Sequence, residues 1–305
     1  MIPSPMARKL LVQAPAKLNL ALSVGPPTDS GMHPISSWMV TVDLFDDLHL
    51  ETLPAEHYSL FATVWHGEAL HRSDIDWPID KDLGHRAHAA LERHVGRELP
   101  VKCRLEKRIP VGGGLGGGSS DAAAMLRGLN ELFDLHLTSV ELRAIASSLG
   151  SDVPFLVDGG SAIVGGLGES IETLDRRAPI HATLLFPGVA CPTGAVYKEF
   201  DRRSRAVLDE ARVRELSGRR TIGPDDPFND LAWAAQQIAP AITEDIEEIG
   251  DLIDLPVHVS GSGSTLFVIC SDPLHASAVA VQCMAKLKIP GVAVTTTPTP
   301  PPKPL

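Results

Sequence analysis

Apolar residues alternate with polar ones in several short runs of this chain, and recur at three- and four-residue steps in others. Residues 17–24 (KLNLALSV) alternate as a strand does and stop at the turn-rich GPPTDSG. Residues 38–53 (WMVTVDLFDDLHLETL) continue the two-residue period, and 101–109 (VKCRLEKRI) has the pattern of a half-exposed antiparallel strand. Helical spacing governs 82–96, where Gly96 supplies a stop, and 121–133 (DAAAMLRGLNELF). The segment 138–150 opens on a Thr-x-x-Glu capping box, Thr138 with Glu141. Past Asp152 come short strands at 161–166 and 181–188, then a charged helix at 209–218. One or two helices follow over 229–250, then a strand–turn–strand at 257–272 and a helix at 273–287.

Helices and antiparallel strands mix without strict alternation, so the fold class is α+β in two domains. A change of texture sets the first domain at 1–165 and the second at 166–297. The Pro-rich end, 298–305, reads as a disordered tail.

Composition narrows the function. A chain of 305 residues with 27 Lys plus Arg against 38 Asp plus Glu carries a formal charge of −11, which repels a phosphate backbone and argues against nucleic-acid binding. A small anionic substrate needs only a local positive patch and stays possible. The four cysteines, Cys103, Cys191, Cys270 and Cys283, form no C-x-x-C pair, so neither a zinc site nor a disulfide framework is expected. No apolar run approaches the ~18 residues that cross a bilayer. A cytoplasmic protein is expected.

Between Gly112 and Ser120 six glycines and two serines occupy nine positions. Ordered glycine costs roughly 0.5–1 kcal/mol each relative to alanine, so the run needs a reason. A P-loop requires Lys and then Ser or Thr after its last glycine, and Ser119 follows Gly118 directly. Gly112, Gly114 and Gly117 satisfy G-x-G-x-x-G, but the strand before them is amphipathic and Pro110 interrupts it. A protein-kinase loop would need H-R-D and D-F-G downstream, and neither occurs. What remains is direct: closely spaced glycines let backbone N–H groups converge on an anion, and a helix starting at 119–121 adds its free N–H groups and dipole. The serine hydroxyls can donate to phosphate or help hold Mg²⁺. Asp121 in the first turn either points away from the phosphates or faces a metal.

The segment PVGGGLGGGSSDAAA resembles the second signature of the GHMP kinases, with APAKLNLALSV (14–24) before it and VSGSGSTLFVIC (259–270) after it in the family's order. LGSDVPFLVDGGSAIVGGLGE, FPGVACPTGAVYKEF and FNDLAWAA extend the likeness over nearly the whole chain apart from the tail. The resemblance implies a ribosomal protein S5 domain 2-like first domain and a ferredoxin-like second one, with the active site between them. It implies transfer of the γ-phosphoryl of ATP, with Mg²⁺, to the 2-hydroxyl of a cytidylylated methylerythritol, a step of non-mevalonate isoprenoid synthesis. A small-molecule substrate is then the partner, and a monomer or weak homodimer the expected state.

By the same resemblance Asp152 is the base for the acceptor hydroxyl, and Lys17 contacts both that aspartate and the phosphoryl region. ATP binding falls to Lys107, near the adenine, and to Pro110, Gly112, Gly113, Gly114, Leu115, Gly116, Gly117, Gly118, Ser119 and Ser120. Asn19, on the same strand face as Lys17, is an acceptor contact. Thr193 and Tyr197 lie in PTGAVY, Tyr197 where the family stacks an aromatic on cytosine, and His33 bonds the base edge. Metal ligands are not assigned. Two positions depart from the pattern: Gly31-Met32-His33 stands for the family's Gly-Tyr-His, and Asp82 for its more usual asparagine. The competing readings are another GHMP-type kinase for homoserine, mevalonate or a sugar, which has no use for a base-binding face at His33 and Tyr197, and a nucleotide-binding paralogue without turnover.

Overall fold

The computed structural model describes residues 7–175, 178–203 and 206–305, so the first residues of the first expected domain, 1–6, lie outside it. Strand β1 (Lys9–Val24) and strand β2 (Ile35–Thr52) form a long antiparallel hairpin closed by the Gly25 N–H to Pro34 carbonyl bond at 2.8 Å. Then come β3 (Leu60–Trp65), α1 (Leu83–Val95), β4 (Val101–Lys107), α2 (Gly117–Leu132), α3 (Ser139–Ala146), α4 (Val153–Asp158), β5 (Ser161–Gly166) and β6 (Ser170–Thr173). The second half runs β7 (His181–Leu185), α5 (Thr193–Arg203), α6 (Glu210–Ser217), β8 (Phe228–Asn229), α7 (Ala232–Ile238), α8 (Ala241–Ile253), β9 (His258–Val259), β10 (Leu266–Cys270), α9 (Pro273–Leu287), β11 (Gly291–Thr295) and β12 (Lys303–Pro304).

The first sheet has the order β12-β1-β2-β4-β3, with β5 and β6 continuing from β2 and β8 lying on β1; the second has the order β11-β7-β10-β9. Helix α2 packs on β1 and β2 of the first sheet with α1, α3 and α4 against it, and α9 covers the second. Between the sheets lies a dry layer. Leu18, Leu20, Trp38 and Val40 from the first meet Leu184, Phe267 and Ile269 from the second. The two-residue period puts Leu18 and Leu20 on one strand face and Lys17 and Asn19 on the other, so one strand serves both core and site.

Pro15 sits inside β1 at a register shift between Pro15 and Ala16, where a missing N–H is tolerated. A second shift between Asn19 and Ala21 follows the site residues, and such bulges re-aim side chains next to active sites.

The structure corrects three expectations. Strands β5 and β6 belong to the first sheet, so residue 165 falls inside that sheet and not at its edge. The tail is ordered: Lys303 and Pro304 pair with Leu11 and Leu10, and Arg127 donates to the Pro300 carbonyl at 2.9 Å. Proline denies a chain helix, but it leaves carbonyls free to accept from a neighbouring edge. Helix α2 begins at Gly117, earlier than residues 119–121, because Gly116 takes φ +68° and caps it.

Candidate active site

Between the sheets' open ends lies a cavity of about 510 Å³ lined by the glycine loop, Lys17, Asn19, Asp152, Thr193 and Tyr197, a size suited to small-molecule ligands. Leu115, the one apolar residue in the run, explains how so much glycine stays ordered. Its side chain is buried with Ile109 in the layer between the sheets, and its carbonyl accepts from the Lys17 N–H at 2.9 Å. Burial of one such side chain contributes roughly 1.5–3 kcal/mol.

Glycine is obligatory on either side of that anchor. A Cβ at Gly114, where φ is +74°, would stand 2.2 Å from the Ser260 carbonyl oxygen; one at Gly116 would stand 2.9 Å from Lys17 Cγ. The Ser260–Thr265 turn thus backs the glycine loop, and the Thr265 N–H donates to the Gly113 carbonyl at 3.1 Å. The first helical bond of α2 is Ser120 N–H to Gly116 carbonyl, 2.8 Å, so the N–H groups of Gly117, Gly118 and Ser119 have no helical acceptor. They point with the helix dipole towards the cavity mouth. Ser120 Oγ is buried with no hydrogen-bond partner, and Ser120 and Leu115 stand behind the lining and not in it.

The expected lysine–aspartate pair is present. Lys17 Nζ lies 3.6 Å from Asp152 Oδ2 and donates to Asn19 Oδ1 at 2.5 Å. Asn19 in turn donates to Ser37 Oγ at 2.8 Å, which fixes the amide. Asp152 occupies the N-cap of α4 but its side chain caps nothing, leaving the carboxylate for Lys17 and the cavity. Tyr197 has its phenol pushed up to about 12, by burial first and then by the charge of Asp152, so it stays neutral. Thr193 Oγ1 is 2.9 Å from Ser262 Oγ, joining the far wall to the second glycine–serine turn.

Two expected site residues are held by partners of their own. Lys107 is 3 % exposed, and its ammonium is held at 2.6 Å by both Asp46 Oδ2 and Asp121 Oδ2. Burial alone would lower its pKa; the two carboxylates override that and hold it above the usual lysine value. Asp121 is thus turned onto Lys107, both of them still bordering the cavity, with its own pKa pushed up to about 8 by burial and Asp46 against the pull of Lys107. His33 is buried behind Tyr197, ring centroids 5.1 Å apart; Nδ1 donates to the Gly25 carbonyl at 2.9 Å and Nε2 lies 3.4 Å from Asp201. Its ring supports the tyrosine and does not line the cavity. Met32 is exposed.

Sequence reasoning passed over the 77–84 wall of the cavity. There Trp77 donates its indole N–H to Asp82 Oδ2 at 3.1 Å, and Asp82 also caps α1 through the His85 N–H at 2.9 Å. Of this wall the sequence had marked only Asp82, as a departure from the family's asparagine, and nothing in the spacing joined Trp77 to the site.

A triphosphate fits this arrangement: free amides converge, glycines leave room, and each carboxylate in the lining has a partner, Asp152 facing Lys17, Asp121 bonded to Lys107 and Asp82 accepting from the Trp77 indole and the His85 N–H. Among the described residues no group of three or more His, Cys, Asp or Glu could hold a metal ion. Asp152 and the Ser119 hydroxyl line the cavity and are donors open to Mg²⁺, which is ordinarily bound by one or two carboxylates together with substrate phosphates.

Residues 83–160 match the family model for the GHMP kinases N terminal domain. The chain is 35% identical over 276 residues to the 4-diphosphocytidyl-2-C-methyl-D-erythritol kinase of Caulobacter sp. (strain K31), covering 88% of this chain and 91% of that one. The chain belongs to the GHMP kinase family. A crystal structure of a 4-(cytidine 5'-diphospho)-2C-methyl-D-erythritol kinase superposes on this GHMP kinase with a TM-score of 0.72 at 31% identity, covering 93% and 98% of the two chains. A homoserine kinase from Cytophaga hutchinsonii, 16% identical with a TM-score of 0.70 over the full length of both chains, shares the fold. This GHMP kinase is thus a phosphotransferase of mixed α+β architecture. Among the described residues no helix is long and apolar enough to cross a membrane.

Proposed function

We propose that the protein transfers the γ-phosphoryl of ATP to the 2-hydroxyl of 4-diphosphocytidyl-2-C-methyl-D-erythritol, as a cytoplasmic monomer or weak homodimer. The observation that carries the reading is the Lys17–Asp152 pair at 3.6 Å, in the same cavity as the glycine cradle. Relatives of that name at 34–35% identity over most of the chain support it.

Asp152 accepts the proton of the acceptor hydroxyl as its oxygen attacks the γ-phosphorus. The bond from that phosphorus to the bridging oxygen breaks, and ADP leaves. An alcohol needs such a positioned base, a contribution of roughly 10²–10⁴-fold. Lys17 keeps Asp152 ionised by opposite charge and offsets charge on the transferred group. The amides at 112–119 hold the triphosphate, and Mg²⁺ arriving with it would neutralise its β- and γ-oxygens. Tyr197, backed by His33, offers a flat face to the cytosine, while Asn19 and Thr193 contact the acceptor.

A coupled ADP-release assay with the cytidylylated substrate, mevalonate, homoserine and galactose tests the assignment. Turnover with the cytidylylated compound alone is expected; a preference for any acceptor without a nucleobase would refute it.

A further inference from the structure

The glycine loop and α2 are joined to the sheet through an ion cluster at the cavity wall, where Lys107 and Asp121 border the cavity and Asp46 stands behind them. Asp46, 0 % exposed, extends from β2; Lys107 is the last residue of β4; Asp121 lies in the second turn of α2. Lys107 Nζ bridges the two carboxylates at 2.6 Å each. The other oxygen of Asp46 accepts from the backbone N–H groups of Arg108 and Ile109, the residues that lead into the loop. The other oxygen of Asp121 is buried without a partner. Two carboxylates and one ammonium out of water are a poor device for stability, since apolar replacements of buried ion clusters are often neutral or better. They are a good device for location: directional bonds fix both ends of the loop, 108–109 and 121, to the same ammonium. Close by, a Cβ on Gly117 would stand 2.9 Å from Ile109 Cγ2, so the cradle sits directly on this base.

We propose that Asp46, Lys107 and Asp121 form a positioning cluster that sets the phosphate cradle at its working height, with Lys107 as a strut and not a ligand of the nucleobase. This rests on the phosphate-cradle reading above. A strut and a base ligand part company on a ligand without a base, so inorganic tripolyphosphate is the probe. In Asp121→Ala, KM for ATP and the inhibition constant of tripolyphosphate are expected to rise together, about tenfold, as for a small misplacement away from the reacting atoms. The KM for the acceptor stays put and kcat falls by less than the KM rises. Asp121→Asn, whose amide oxygen still accepts from Lys107, is expected to recover most of the loss. Lys107→Met should weaken both ligands alike; if it does not fold, Asp121→Ala carries the test.

Weakened ATP binding with tripolyphosphate affinity unchanged would make Lys107 a base ligand and overturn the proposal. So would an equal loss for acceptor and nucleotide, which marks general loosening, or no loss at all. A wild-type protein that fails to bind tripolyphosphate would sink the cradle and the cluster with it. If the cytidylylated acceptor is not phosphorylated, the dissociation constants of ATP and tripolyphosphate, read by calorimetry, make the same comparison between wild type and Asp121→Ala.

Discussion

Two buried lysines meet aspartates in this protein, and they could hardly be treated more differently. Lys17 faces Asp152 across 3.6 Å, and a quarter of the aspartate side chain remains open to the cavity. Lys107 is clamped at 2.6 Å between two carboxylates that are 0% and 6% exposed. On the readings proposed above, the same pair of chemistries is reactive in one place and structural in the other. A base must be reached by substrate, so its partner stands off and leaves lone pairs free. A strut needs its bonds satisfied within the protein, and every short bond it makes holds it in place.

Breaking the reachable pair has the largest expected consequence. Asp152→Asn should lower kcat by about 10²–10⁴, the range of a lost general base, with little change in either KM; steady-state kinetics read the split. A collapse of binding with turnover preserved would assign Asp152 to the acceptor site only.

Next comes the ground between the two lysines. Gly116→Val places a branched side chain at φ +68° and against Lys17, so the fold should weaken by about 1–2 kcal/mol while ATP-induced thermal stabilisation disappears. A variant that melts earlier yet still gains its full shift with ATP would show that the loop does not cradle the phosphates.

The smallest effect lies behind the second glycine–serine turn. His258 is kept neutral because burial lowers its pKa from the model-compound value of 6.5, although the bond from Nε2–H to the Pro224 carbonyl at 2.7 Å and the charge of Asp225 pull the other way. In the unfolded chain this histidine takes up a proton sooner as pH falls. Its contribution to stability is therefore complete above pH 6.5 and is lost progressively below it. His258→Gln should flatten that part of the stability–pH curve, measured by denaturant melts at several pH values; an unaltered slope would mean other groups carry it.

Much of this was legible in the sequence because it follows from local rules. The alternation at 101–109, the capping box at Thr138 and Glu141 and the glycine run each state a backbone conformation. Lys17 and Asp152 could be paired only through the resemblance, since 134 residues separate them (152 minus 17, less one) and no spacing rule spans such a gap. The bonds of Lys107 were hidden for the converse reason: the strand places it beside the loop, but Asp46, far back along β2, decides where its ammonium points. Short segments such as α4 and β3 carry too few residues to show a period. The tail's order arises entirely from what it lies against, so its own composition suggested the opposite.

The stitching of the two halves has a practical corollary. Thr295 and Thr297, at the end of β11 and just past it, donate their N–H groups to Asp43 Oδ1 and to the Thr41 carbonyl of β2 at 2.7 and 2.9 Å; Asn229 reaches from beside β1 to the Val259 and Gly261 carbonyls. A frame sewn at so many points has little room to gape like a jaw. An inhibitor bridging the triphosphate groove and the tyrosine wall would meet a mould already cast, and rigidity built into such a molecule should be repaid in affinity.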